Sequence, residues 1–263
     1  MKNQSPSVNA LILAEIAQIA GLRIMQVYAT EFSANAKADL SPVTIADEQA
    51  EILILGGLRK YFSGIPVVAE EAAAAGKIPK VAEEFFLVDP LDGTKEFLSR
   101  NGEFTVNIAL IKNGSPVLGV VYAPALSRMY LGEADAGAMQ SSLAVADPLS
   151  NADWQPINVR AMPEDGATVL ASRSHRDVET EAYLATLNVK KIIGAGSSLK
   201  FCTIAAGEAD IYPRFGRTME WDTAAGHAVL LAAGGKVNCT DHNPLRYGKT
   251  ERGFDNPAFI ASA

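Results

Sequence analysis

Cysteine and histidine are scarce in this 263-residue chain, which has two of the first (Cys202, Cys239) and three of the second (His175, His227, His242). Two thiols make no disulfide framework and lack the paired spacing of a zinc site, so buried thiols in a reducing compartment are expected. No His-x-x-x-His pair occurs, which argues against a histidine-built zinc site or a catalytic triad, and His227 reads as a satisfied core residue. A cationic surplus is also missing: 23 Lys and Arg face 30 Asp and Glu, a formal net charge of −7. Nucleic acid and anionic membrane surfaces are therefore disfavoured as partners. An anionic substrate must be received by a local device, such as metal ions or a few placed cations. No uninterrupted apolar run approaches the roughly 20 residues of a membrane span. Lys2, Pro6 and Glu15 break up the N-terminal stretch, so no signal peptide is expected and a cytoplasmic setting is. Peripheral association with the inner membrane stays open, as does the choice between monomer and homodimer.

What the chain does have is 48% hydrophobic residues, enough for a full-sized core. Val8, Ile12, Ile16, Ile19, Val27 and Tyr28 recur at three- and four-residue intervals and predict an amphipathic helix from Ser7 to about Tyr28. A second helix is expected after Ser41-Pro42-Val43-Thr44, with Asp47 in its first turns and the Gly56-Gly57 pair weakening its continuation. Ile65 to Ala69 and Phe85 to Val88 read as strands that end in acidic residues. Phe104 to Lys112 and Pro116 to Tyr122, joined by Asn113-Gly114-Ser115, read as an antiparallel hairpin. The window from Ala134 to Pro156 is small, polar and aperiodic. A boundary inside it divides the chain into 1–145 and 146–263. Beyond it come a strand at Val169 to Ala171 and helices at 178–187, 199–206 and 223–233.

The segment Val88-Asp89-Pro90-Leu91-Asp92-Gly93-Thr94 carries the chemistry. Two carboxylates three residues apart at a strand end, with Pro90 fixing one φ between them, can converge on one point. Carboxylates and a backbone carbonyl, here that of Leu91, are the hard oxygen ligands that Mg²⁺ selects. Gly93 allows close backbone approach, and Thr94 can begin a helix whose N–H groups would hold a phosphate. Taken alone, Asp-Gly-Thr also fits a plain polar turn, Glu70-Glu71 a solvated loop, and Asp222 a favourable first-turn charge.

Together, Glu70-Glu71, Asp89-Pro90-Leu91-Asp92-Gly93-Thr94 and Trp221-Asp222-Thr223-Ala224-Ala225-Gly226 resemble, in order, the three signatures of the inositol monophosphatase superfamily of lithium-sensitive, Mg²⁺-dependent phosphomonoesterases. Ser41 to Asp47, Leu87 to Tyr122, Gly196 to Cys202 and Tyr212 to Leu230 resemble its 3'(2'),5'-bisphosphate nucleotidase branch, of the CysQ type, which the resemblance ties to sulfur assimilation. Lys95-Glu96, where inositol monophosphatases have Thr-Asn, points away from their branch without fixing the substrate.

The resemblance implies an α/β fold, an alternating α/β/α/β/α layered sandwich with the site between its halves. Glu70, Asp89 and the Leu91 carbonyl would bind one Mg²⁺, and Asp89, Asp92 and Asp222 a second; a third ion stays open. Thr94 would hydrogen-bond to Asp47, and the two, with Glu70, would serve the attacking water. Asp92, Gly93, Thr94, Ser197, Lys200, Arg214, Asp222 and His175 would line the substrate pocket, although Ser197 as a helix cap and Lys200 and Arg214 as surface cations fit the bare sequence as well.

The activity so implied is hydrolysis of adenosine 3',5'-bisphosphate to AMP and phosphate, with 3'-phosphoadenylyl sulfate as a related substrate. Inositol monophosphatase or broader sugar phosphatase activity is the alternative within the class. A non-catalytic nucleotide-sensing module is the alternative outside it, and the water-orienting pair argues against that, because binding alone does not need one.

Overall fold

The computed structural model describes residues 5–30, 42–171 and 178–263. Helix α1 (Val8–Tyr28) starts where Ser7 accepts a hydrogen bond from the Ala10 N–H, and α2 (Pro42–Tyr61) packs beside it. Contrary to the sequence expectation, α2 runs straight through Gly56-Gly57. A Cβ on Gly57 would lie 2.7 Å from Ile16 Cγ1, so the missing side chain serves a close crossing with α1 and does not end the helix. At 21 residues α1 is long and apolar enough in composition to match a membrane span, which amends the reading of no span-like segment. Half of it is buried, with Leu13, Ala14, Ala17 and Ile24 inaccessible to solvent.

The first sheet has seven strands in sequence order: β1 (Val67–Ala69), β2 (Glu84–Asp92), β3 (Thr105–Lys112), β4 (Ser115–Ala123), β5 (Arg128–Glu133), β6 (Gly137–Ser142) and β7 (Gln155–Ile157). β1 pairs parallel with β2, and the rest is an antiparallel meander that contains the expected β3–β4 hairpin. The stretch read as aperiodic holds β6 and the start of β7. Both belong to this sheet, so the change of sheet comes after Ile157.

The second sheet runs β11–β12–β10–β8–β9, built from β8 (Ala167–Ala171), β9 (Val189–Gly194), β10 (Ile211–Arg214), β11 (Lys236–Cys239) and β12 (Phe259–Ser262). α5 (Val178–Leu184), α6 (Leu199–Ala205) and α7 (Glu220–Ala232) accompany it, while two five-residue helices, α3 (Glu70–Ala74) and α4 (Thr94–Leu98), follow β1 and β2.

Strand alternation sorts these elements into layers. Phe86 and Val88 of β2 pack into a core with Leu13 and Ile24 of α1 and Ile54 of α2. Phe85 and Leu87 face the other way, into a core shared with Phe201 and Cys202 of α6, Ala225 and Val229 of α7, and Leu170 and Tyr212 of the second sheet. On the far face of that sheet, Val169 and Ile211 pack against Leu184 of α5. The result is a five-layer α/β/α/β/α sandwich, in agreement with the expected fold. Of the two free thiols, Cys202 is buried as expected, but Cys239 is half-buried.

Candidate active site

Parallel pairing of β1 and β2 builds the first half of the site. Ala69 stands opposite Val88, so the next residues, Glu70 at the start of α3 and Asp89 still within β2, come side by side. Asp89 pairs with Asn107 and Asp92 with Thr105: three steps along β2 match two along β3. That extra residue is a β-bulge, and it turns two carboxylates that would otherwise face opposite sides toward the same side. The Leu91 N–H donates to Asp89 Oδ1 at 3.0 Å. Gly93 follows with φ 100°, a left-handed conformation that glycine adopts without strain, and the chain enters α4 at Thr94.

The second half comes from α6, α7 and the loops before them. Asp222 lies in the first turn of α7, where its Oδ2 accepts the Met219 N–H at 2.8 Å. Ser198 Oγ donates to the Asp222 carbonyl at 2.7 Å. Ser197, with φ 52°, donates to Asp92 Oδ2 at 2.5 Å, and its hydroxyl lies against that of Thr105, whose Oγ1 donates to Asn107 Oδ1 at 2.9 Å. Thr105 and Asn107 are buried polar residues that the sequence reading missed, because only the strand register sets them opposite Asp92 and Asp89.

One cavity of about 300 Å³ is lined by Glu70, Asp89, Leu91, Asp92, Gly93, Thr94, Ser197, Lys200, Arg214 and Asp222. Lys95, Glu96, Phe201, Tyr212, Thr218 and Thr223 also line it. Asp47 stands behind this wall, buried in α2. Among the described residues no hydrogen bond joins it to Thr94, which is exposed at the head of α4. Glu71 is half-buried and outside the cavity lining, and His175 lies outside the described residues. His227 is a core residue, its Nδ1 2.9 Å from the Tyr247 hydroxyl, with burial lowering its pKa to about 3.

Lys200 and Arg214 are not plain surface cations. Lys200 is 8% exposed, and its ammonium donates to the carbonyls of Ala195 (3.2 Å) and Ser197 (2.7 Å). Burial lowers its pKa to about 8. Arg214 donates to the carbonyls of Gly216 and Arg217, both at 3.0 Å, and so shapes the turn that leads to Thr218.

The carboxylates crowd one another. Burial, followed by the charges of Glu70, Glu71, Glu51 and Asp92, pushes Asp47 up to about 8. Burial and then Asp92 push Asp222 up to about 8. Burial pushes Glu70 up to about 7 against the opposing effect of its hydrogen bond with Asp89, and raises Asp89 well above the usual carboxylate range. Among the described residues no three potential ligand side chains already close into a cage. The donor set is nonetheless one a hard divalent cation fits: buried, mutually repelling carboxylates around an open cavity with a backbone carbonyl among them.

The sign of the resulting pH dependence follows. Between about pH 4, where these groups titrate in the unfolded chain, and about pH 8, the metal-free folded protein holds more protons than the unfolded one. Its stability therefore falls as pH rises through that window. In a chelator, the thermal midpoint at pH 8.5 is expected to lie several degrees below that at pH 6, and Mg²⁺ should raise it more at pH 8.5 than at pH 6. An equal or higher midpoint at pH 8.5 in chelator would contradict the crowding.

The inositol monophosphatase family model matches residues 7–260. The 3'(2'),5'-bisphosphate nucleotidase CysQ of Escherichia coli O157:H7 is 46% identical over 252 residues, covering 95% of this chain and 98% of that protein. The crystal structure of CysQ from Bacteroides thetaiotaomicron, described as a bacterial member of the inositol monophosphatase family, superposes with a TM-score of 0.84 at 40% identity, covering 100% of this chain and 98% of the other. An inositol monophosphatase from Anabaena superposes with a TM-score of 0.74 at 26% identity, covering 97% and 90%. A layered fold that superposes on these structures, an acidic cavity between the two sheets and a match along almost the whole chain lead to one conclusion: this chain belongs to the inositol monophosphatase family of metal-dependent enzymes.

Proposed function

We propose that the protein is a Mg²⁺-dependent phosphomonoesterase that removes the 3'-phosphate of adenosine 3',5'-bisphosphate to leave AMP, with 3'-phosphoadenylyl sulfate as a second substrate and a cytoplasmic setting. The observation that carries the reading is the mixed lining of the cavity described above. Glu70, Asp89, Asp92 and Asp222 line it together with Ser197, Lys200 and Arg214. A substrate with two anionic groups needs both kinds of wall. The 46% identity to a bisphosphate nucleotidase over nearly the full length supports the same substrate class.

Two Mg²⁺ ions, held by Glu70, Asp89 and the Leu91 carbonyl and by Asp89, Asp92 and Asp222, would lower the pKa of water and neutralise charge on the phosphoryl and leaving oxygens. The protein's own groups do the rest. The Thr94 hydroxyl at the head of α4 and the Asp47 carboxyl on α2 orient the attacking water. Ser197 holds Asp92 in its bulged position from across the cleft. Arg214 receives the anionic group that does not react. No covalent nucleophile on the chain is needed.

Parallel phosphate-release assays with adenosine 3',5'-bisphosphate and inositol 1-phosphate at fixed Mg²⁺ test this reading. The expected result is a large preference for the bisphosphate, and a preference for inositol 1-phosphate would transfer the protein to the sugar phosphatase branch. Arg214→Ala should lower kcat/KM roughly ten- to a hundredfold for the bisphosphate and much less for inositol 1-phosphate, because one charge-assisted hydrogen bond is worth about 1.5–3 kcal/mol. Lys200→Ala should impair both substrates, since its ammonium holds the Ser197 carbonyl and Ser197 holds Asp92. Equal losses on the two substrates in Arg214→Ala would place that side chain in the structural framework.

A further inference from the structure

Helix α3 delivers Glu70 to the site, yet its own start is bare. It is five residues long, and Ala69 at its N-cap position offers no side-chain acceptor. The N–H groups of a helix's first turn need partners when they are shielded from water. Here they come from another helix. Glu51 of α2 accepts the Glu71 N–H at Oε2 (2.8 Å) and the Ala72 N–H at Oε1 (2.9 Å), so both carboxylate oxygens cap α3 from a distance. The side chain is 6% exposed, and α2 packs on α3. Its negative charge also faces the positive end of the short helix. Burial raises the Glu51 pKa while the two backbone N–H groups oppose that rise. Glu51 is four residues beyond Asp47, so one face of α2 carries both carboxylates.

We infer that Glu51 is a positioning residue for the metal site: by capping α3 it fixes the backbone from which Glu70 reaches the cavity. The two bonded N–H groups belong to the residues immediately after Glu70, so the cap is separated from that side chain by one peptide unit. Without the acceptors, the first turn of α3 would turn its N–H groups elsewhere and carry Glu70 with it. This inference rests on the proposed role of Glu70 as a metal ligand. Glu51 itself touches neither metal nor substrate in this assignment.

Glu51→Gln, Glu51→Ala and Glu70→Gln separate the two claims. Mg²⁺ binding is measured by titration calorimetry on the metal-free proteins, alongside thermal denaturation in chelator and the Mg²⁺ dependence of phosphate release. Loss of a group that orients a metal ligand typically weakens metal binding about ten- to a hundredfold. Glu51→Ala is expected to fall in that range and Glu51→Gln, which keeps one oxygen and the volume, at its lower end. Saturating Mg²⁺ should restore kcat in both to within a few-fold of the parent.

An unchanged Mg²⁺ affinity in Glu51→Ala, with Glu70→Gln weakened, would overturn the positioning role and leave Glu70 as a ligand. Unchanged affinity in Glu70→Gln would instead remove the ligand assignment on which the role depends. If Glu51→Ala fails to fold, the near-isosteric Glu51→Gln decides. Loss of fold in both would make Glu51 a purely structural residue and end the proposal.

Discussion

Asp92→Asn is expected to abolish turnover while leaving the metal-free protein at least as stable as the parent. The substitution keeps the shape of the side chain and removes one anionic oxygen ligand from the centre of the site. Loss of about 4 kcal/mol of transition-state stabilisation corresponds to roughly a thousandfold in kcat, and a missing hard ligand costs at least that order. Stability should move the other way. The Asp92 charge is among the influences that raise Asp47, Glu70, Asp89 and Asp222, so removing it relieves all four. Ser197 can still hydrogen-bond the amide, since a hydroxyl both donates and accepts. In chelator at pH 8 the midpoint of Asp92→Asn should match or exceed that of the parent, and the gain on adding Mg²⁺ should shrink. Asp222→Asn should behave alike, with less relief because its Oδ2 already accepts the Met219 N–H. Near-parental kcat at ordinary Mg²⁺ in either variant would refute the ligand assignment.

The acidic motif was legible in the sequence, but the device that makes it work was not. Pro90 between two carboxylates indicated convergence, yet convergence arises from a bulge defined by the partner residues Asn107 and Thr105, and register is invisible without the partner strand. The helix α1 and the β3–β4 hairpin announced themselves through periodicity and Asn113-Gly114. β9, β10, β11 and β12 did not. They are four to six residues long, β10 contains Pro213, and β12 enters the sheet between β10 and β11, so nothing local marks them. Gly56-Gly57 misled for the opposite reason: a local helix-weakening signal was overridden by the crossing of α1. Glu51 could have been found by its four-residue spacing from Asp47, but its acceptor role depends on Glu71 and Ala72, which only the packing of α2 on α3 brings within reach.

Thr94→Val is expected to lose kcat by roughly a hundredfold while KM changes by no more than a few-fold. The hydroxyl is assigned to the water and not to the substrate's ground state, and a group that acts only in the transition state appears in kcat. Valine keeps the branched shape at the first position of α4, where Thr94 makes no described hydrogen bond to Asp47, so the fold should be unaffected. Asp47→Asn should strike the same step. Its carboxyl is buried behind the cavity wall on α2, which packs against α4, and the loss of an acceptor there leaves the water without its second guide. If both residues act on one water, the second substitution has little left to remove, and the double variant should be impaired by far less than the two single losses multiplied together. Full multiplicativity would show that Thr94 and Asp47 act independently and would break the proposed pair. A KM rise equal to the kcat loss in Thr94→Val would move the hydroxyl from the water to the substrate.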